Sequence, residues 1–264
     1  MKIKNHILQG ADLDNQSPNK RRGTMTPTVI VLHYTASGGE NGEGDASYLS
    51  RASSRASAQV VVGRVGDVHQ LMPLNNIAWH AGKSSHNGVS DVNAFSIGIE
   101  IDNWGWLKNG KSHAGVRIPE DHIFRGTRSG HDEWEAYKPA QLDSVEEVIA
   151  AICEEYPIED IVGHEDIAPG RKQDPGPALD EFMARMKEKY LGKKTSGSKK
   201  KSPAKKGTKK TTANLNLRQR PSASATILTV IPKGATVQVL SEWNGWSEVR
   251  FGKRQAFVSS SYLK

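Results

Sequence analysis

TVIVLH, residues 28–33, is a continuous β-branched and aliphatic run closed by a histidine. A strand with no polar side belongs inside a sheet that is covered on both faces. Working outward, VVVGRVGDVHQL (60–71) predicts two short strands around a turn spanning Gly63 to Asp67. FSIGIEID (95–102) places its apolar residues on the odd positions, the alternation of a further strand. The period then changes. Leu142, Val145, Ile149 and Ile152 recur at three and four, with Pro139 in the first turn and Pro157 beyond the end. That spacing predicts an amphipathic helix of roughly 17 residues. Cys153 sits beside its apolar stripe and reads as a small buried hydrophobe. A strand at 160–163, a Pro/Gly-rich loop and a helix near 178–190 follow. Strands and helices mixed in this order predict an α/β domain, a mixed central sheet flanked by helices.

The chain has 264 residues and a net charge of +7. Nine lysines fall between Lys193 and Lys210, and the residues after them carry seven bases and two acids, so residues 1–192 hold 7 − 9 − 5 = −7. The basic balance therefore comes from one segment and one tail. A nucleic-acid partner is not expected, since the lysines have no aromatics among them. KKTSGSKKKSPAKKGTKKTT (193–212) lacks any large apolar side chain and predicts a disordered linker between a domain at 1–192 and a smaller one at 213–264. The smaller one has period two throughout, with turn signals at Pro221, Pro232-Lys233-Gly234 and Asn244-Gly245; about five short strands of this kind suit a small β-barrel. No run approaches the ~18 apolar residues of a membrane span, and the opening MKIKNHILQGADLDN does not read as a signal peptide, so synthesis in the cytoplasm without export is expected. One cysteine excludes an internal disulfide and any Cys-rich metal site.

Nine histidines lie in the first 164 residues and none after. His33 ends one apolar strand and His164 ends another, which puts two imidazoles at one edge of a sheet, where α/β proteins place their sites. Asp174 lies ten residues further, between Pro169-Gly170 and Pro175-Gly176. Two imidazoles and a carboxylate with one open position describe a catalytic zinc site; core or capping residues would fit the same spacing.

VIVLHYTAS, AWHAG (78–82), FSIGIEIDN (95–103) and VGHEDIAPGRKQDPGPA (162–178), in this order, resemble the type 2 N-acetylmuramoyl-L-alanine amidases, relatives of the peptidoglycan recognition proteins. The resemblance spans about residues 25–190 and implies Zn²⁺ bound by His33, His164 and Asp174. It implies Glu100 as general base and Lys172 as the cation facing the oxyanion, with Arg171 an exposed loop cation. It also places His80, Trp79 and Tyr34 along the substrate cleft, while Trp79 packing and a structural His80 remain open. His69, His86, His113, His122 and His131 match nothing and are expected at the surface. Residues 104–134 read as a long, aperiodic, substrate-side insertion.

LNLRQRPS (215–222), VIPKGATVQVL (230–240), WNGWSEVRF (243–251) and FVSSSYL (257–263) resemble a bacterial SH3-like wall-binding module. Arg220 stands where a Gly is usual and Ala256-Phe257 where Gly-Tyr is usual; Trp243 and Trp246 are candidate ligand platforms, one of them core. Together the resemblances imply a monomeric peptidoglycan hydrolase of the phage endolysin kind, acting on the cell wall. A cytosolic muropeptide-recycling amidase and a non-catalytic peptidoglycan receptor are the alternatives. Receptors typically lack a zinc ligand, whereas His33, His164 and Asp174 are all here, beside Glu100. An anchored module favours an insoluble substrate, and the lysine segment could add affinity for anionic wall components.

Overall fold

The computed structural model describes residues 1–192, 207–218, 227–243, 245–252 and 254–264, without the side chains of 241–243, 248 and 255. The lysine-rich stretch from 193 to 206, together with Arg220, Pro221 and Asn244, lies outside them. The chain forms two compact units, Met1–Lys194 and Thr195–Lys264.

In the first unit the strands of the main sheet and of the insertion are β1 (Val29–Tyr34), β2 (Val60–Val62), β3 (Val68–Gln70), β4 (Ser96–Ile101), β5 (Trp106–Leu107), β6 (Ile123–Arg128), β7 (His131–Glu135) and β8 (Asp160–Gly163). The helices are α1 (Glu43–Leu49), α2 (Pro139–Glu155), α3 (His164–Ile167) and α4 (Asp180–Met186), the last preceded by a 3-10 turn and running on through Leu191. The main sheet has the order β8-β1-β4-β2-β3; all neighbours are parallel except β3, which returns antiparallel on β2. The strand TVIVLH is therefore central, as its unbroken apolar run demands. Helix α2 spans the 17 residues that its periodicity predicts, from the N1 proline onward, and buries Leu142, Val145, Ile149 and Ile152.

Parallel in-register pairing sorts the side chains of β4 and β1 by face. Ser96, Gly98 and Glu100 pair with Val29, Val31 and His33, so these share one face, while the fully buried Ile97, Ile99, Ile101, Ile30 and Leu32 occupy the other. On the polar face Val29, Val31 and Val162 pack with Ala81, Val92 and Ile167 in one apolar cluster, which gives the site a rigid floor.

The insertion is not an aperiodic loop. Its strands form a sheet of order β5-β7-β6, in which Trp106 pairs with Trp134 and the register shifts between Arg125 and Arg128. That shift, in strands this short, breaks the alternation that would have revealed them. A buried pair ties this sheet to the core: Arg64 Nε and Nη2 donate to Glu135 at 3.2 and 2.8 Å.

The second unit is a six-stranded antiparallel sheet of order β9-β12-β13-β14-β10-β11: β9 (Thr208–Lys210), β10 (Leu215–Arg218), β11 (Ile227–Ile231), β12 (Thr236–Trp243), β13 (Trp246–Phe251) and β14 (Arg254–Ser259). Leu215, Leu217, Ile231, Val237, Val239, Val249, Ala256 and Val258 form its core. Strand β9 corrects the linker boundary. Residues read as spacer pair with β12, and the buried Thr211 donates its hydroxyl to Pro232 O at 2.6 Å. Alternation does not reveal a three-residue edge strand with two lysines.

Candidate active site

His33 is the penultimate residue of β1, and His164 follows the last residue of β8. The ladder pairs Gly163 with Leu32 and Glu100 with His33, so three neighbouring strand ends deliver two imidazoles and a carboxyl to one edge. Asp174 arrives on the loop after α3, held back to it by Glu165 N–H donating to Asp174 O at 2.8 Å. The loop can close this tightly because Gly176, at φ +76°, lies against Trp134, where a Cβ would be 2.6 Å from the ring.

Three donor atoms converge. His33 Nδ1 is 2.9 Å from His164 Nδ1 and 3.0 Å from Asp174 Oδ2, and the last pair is 2.9 Å apart. All three residues are buried, and among the described residues they are the only such cluster of potential ligands. Burial first, then the neighbouring His164, hold the His33 imidazole down at about 4, so it is neutral with a lone pair available. Burial alone would raise the Asp174 carboxyl, but the adjacent His164 and His33 rings keep it well below the usual range, as an anion. His164 Nε2 donates to Ala81 O at 3.1 Å, which leaves its Nδ1 bare toward the cluster. Two imidazole nitrogens and one carboxylate oxygen, with second contacts that orient the rings, fit a divalent zinc ion well.

The cluster opens into a cavity of about 510 Å³ lined by Tyr34, Trp79, Glu100, Lys172 and Asp45 among others. Glu100 is half-buried and its Oε2 has no partner. Burial, then Asp174 and Asp45, push its carboxyl well above the usual value, against the opposing Lys172. Lys172 is exposed at the rim. The Tyr34 phenol, on the strand end beside His33, is raised chiefly by burial.

Trp79 and His80, both expected along the cleft, both line the cavity but differ in exposure. Trp79, open to a packing role, is 38% exposed in the cavity, whereas His80 is 7% exposed with both ring nitrogens engaged inside the protein. His80 is thus not available to hydrogen-bond substrate. Arg171 is exposed on the loop, as expected, and it also donates to Ala81 O and Lys83 O at 2.7 and 2.8 Å, strapping the AWHAG loop to the ligand loop. His69, expected at the surface, is buried on Asp67 at 2.8 Å, and His131 stacks on Trp106 with ring centroids 4.2 Å apart. Sequence reasoning missed Asn93 and Asp45. Asn93 Oδ1 accepts from both His80 and Ala81 N–H, a role that only the folded loop creates.

Comparison with known proteins finds relatives for both units. Residues 23–177 match the N-acetylmuramoyl-L-alanine amidase family and residues 213–264 the bacterial SH3 domain. The chain is 34% identical over 158 residues to the N-acetylmuramoyl-L-alanine amidase AmiD of Escherichia coli, covering 56% of this chain and 49% of that one. It is 31% identical over 172 residues to the 1,6-anhydro-N-acetylmuramyl-L-alanine amidase AmpD of the same organism, covering 59% and 79%. It thus spans about half the length of the former relative. A crystal structure of an AmpD derivative superposes with a TM-score of 0.52 at 26% identity, over 70% of this chain and 99% of that one. With the match covering more than half of its residues, the chain belongs to the N-acetylmuramoyl-L-alanine amidase family and carries a bacterial SH3 domain behind the amidase fold.

Proposed function

We propose that this chain is a zinc-dependent hydrolase that cleaves the amide between N-acetylmuramic acid and L-alanine in intact peptidoglycan. The observation that carries this reading is the convergence of His33, His164 and Asp174 within 3.0 Å of one another at the floor of a cavity that also holds Glu100. Zinc held by these three groups supplies Lewis acidity toward the scissile carbonyl and toward water. Glu100, its basicity raised by burial and by Asp174 and Asp45, takes the proton of the attacking water and returns it to the leaving amine. Lys172 at the rim offers its ammonium to the developing oxyanion, and the open face of Trp79 gives sugar or stem peptide a surface to lie on. Tyr34 flanks the scissile bond.

The second domain supports a lytic role of the phage type, because a tethered SH3 module that binds the wall raises the local concentration of enzyme on an insoluble substrate. The likeness to AmpD favours a second reading, a recycling enzyme acting on soluble fragments. The zinc requirement is tested by chelation. Chelator-treated protein should stop releasing new L-alanine amino termini from purified walls and recover with added Zn²⁺, while His33→Ala and Asp174→Ala should not recover. Full activity in metal-free protein would overturn the reading.

A further inference from the structure

His164 and His33 must both present a bare Nδ1 to the same point, yet their other nitrogens face different acceptors. His164 Nε2 faces Ala81 O at 3.1 Å, a carbonyl that only accepts, and this shorter contact outweighs Arg171 Nη2 at 3.4 Å in setting its tautomer. His33 Nε2 faces another imidazole, His80 Nδ1, at 3.0 Å. An imidazole nitrogen can donate or accept, so this contact by itself leaves the His33 tautomer open.

The direction is supplied further along the chain of contacts. His80 Nε2 lies 3.1 Å from Ser96 Oγ, and the Ser96 hydroxyl donates to Val92 O at 2.7 Å. The Ser96 proton is therefore committed to a carbonyl, and its oxygen accepts from His80 Nε2–H. The neutral His80 ring then has its lone pair on Nδ1 and accepts from His33 Nε2–H. His33 Nδ1 is then left bare toward His164 and Asp174, against the pull of the Asp174 carboxylate 3.0 Å away, which only accepts. The surroundings are built for this ring. Asn93 Oδ1 pins the backbone N–H of His80 at 3.1 Å, and the ring occupies space that exists only because position 98 is glycine, where a Cβ would lie 2.5 Å from His80 Cγ. Ser96, Gly98 and Glu100 share one face of β4, so one strand carries the anchor, the space and the proposed base.

We propose that His80 and Ser96 are positioning residues that transmit the polarity of the Val92 carbonyl to His33, fixing its Nε2–H tautomer and presenting the Nδ1 lone pair to the metal. This rests on the metal reading above and adds the device that makes one of its ligands ready to bind.

The test is made on full-length protein with zinc affinity measured by chelator competition and His33 protonation read from the ring ¹⁵N shifts of metal-free, ¹⁵N-histidine-labelled protein. The wild type should show His33 protonated on Nε2. His80→Leu, which removes the acceptor, should weaken zinc binding about 10- to 100-fold, and His80→Asn, whose amide oxygen can accept at the Nδ1 position, should stay within about threefold. Ser96→Ala should leave the fold intact, mix the His33 tautomers and weaken zinc binding by a smaller factor. Should His80→Leu fail to fold, Ser96→Ala decides. Wild-type zinc affinity and an unmixed Nε2–H signal in Ser96→Ala would overturn the proposal while leaving the metal site standing; a wild-type protein that binds no zinc would overturn both.

Discussion

Glu100 lies on β4 and Asp102 one residue past its end, and their environments separate them. Glu100 opens on the cavity, so its raised basicity is usable; Glu100→Gln preserves shape and ligands and should retain zinc while turnover falls about a hundredfold or more. Parallel zinc titration and wall-digestion assays check this, and wild-type turnover would reduce Glu100 to a structural group. Asp102 is fully buried with neither oxygen accepting a hydrogen bond, and burial together with the facing Asp45 pushes its carboxyl up to about 9. The native state therefore keeps this proton through a range, from about pH 4 upward, where the unfolded chain has already released it. With more protons bound in the native state, stability falls as pH rises between those values. Asp102→Asn removes that penalty. It should raise the melting temperature at pH 8 by more than at pH 5, the two proteins converging near pH 4.

At the scale of elements, the insertion sheet is fastened at two points. Arg64 and Glu135 are both buried and bidentate, joining β7 to the turn after β2, and Arg128 on β6 reaches Glu165 at 2.8 Å and Asp180 at 2.6 Å. The second pair is half-exposed and contributes little. Breaking the first leaves an uncompensated buried charge, so Arg64→Ala should cost about 3–5 kcal/mol, read as a lower denaturant midpoint, whereas Arg128→Ala should cost under about 1 kcal/mol. Equal losses would mean that burial does not separate the two pairs.

For the whole molecule, charge and anchoring act together. Residues 1–192 sum to −7 and the remainder to +14. The first compact unit holds every proposed ligand, so a 1–192 fragment should hydrolyse a soluble muropeptide at nearly the full-length rate. On intact sacculi at low enzyme concentration it should be slower by up to about a hundredfold. A protein ending at Lys210 separates linker charge from SH3 recognition, since rising salt should weaken only the former. Undiminished digestion of sacculi by 1–192 at low salt would favour the recycling enzyme.

An unbroken apolar run determined the interior strand TVIVLH, and periodicity the 17-residue helix and the alternation of the second unit, because burial on both faces removes polar positions and burial on one face imposes periods of 2 and 3.6. Strand ends brought out His33 and His164, since parallel strands deliver their last residues to one edge, and the loop after His164 supplied Asp174, whereas Glu100 came from the family resemblance. Short elements escaped: the three-stranded insertion and Thr208–Lys210 carry too few alternating positions to stand out. Only the tertiary structure decided that Trp79 is open and His80 enclosed, that Arg171 is a strap, and that Asn93, Ser96 and Gly98 build the pocket of one imidazole. These are contacts between residues distant in the chain or on different elements, and hydrogen-bond direction and free space exist only once the backbones have met.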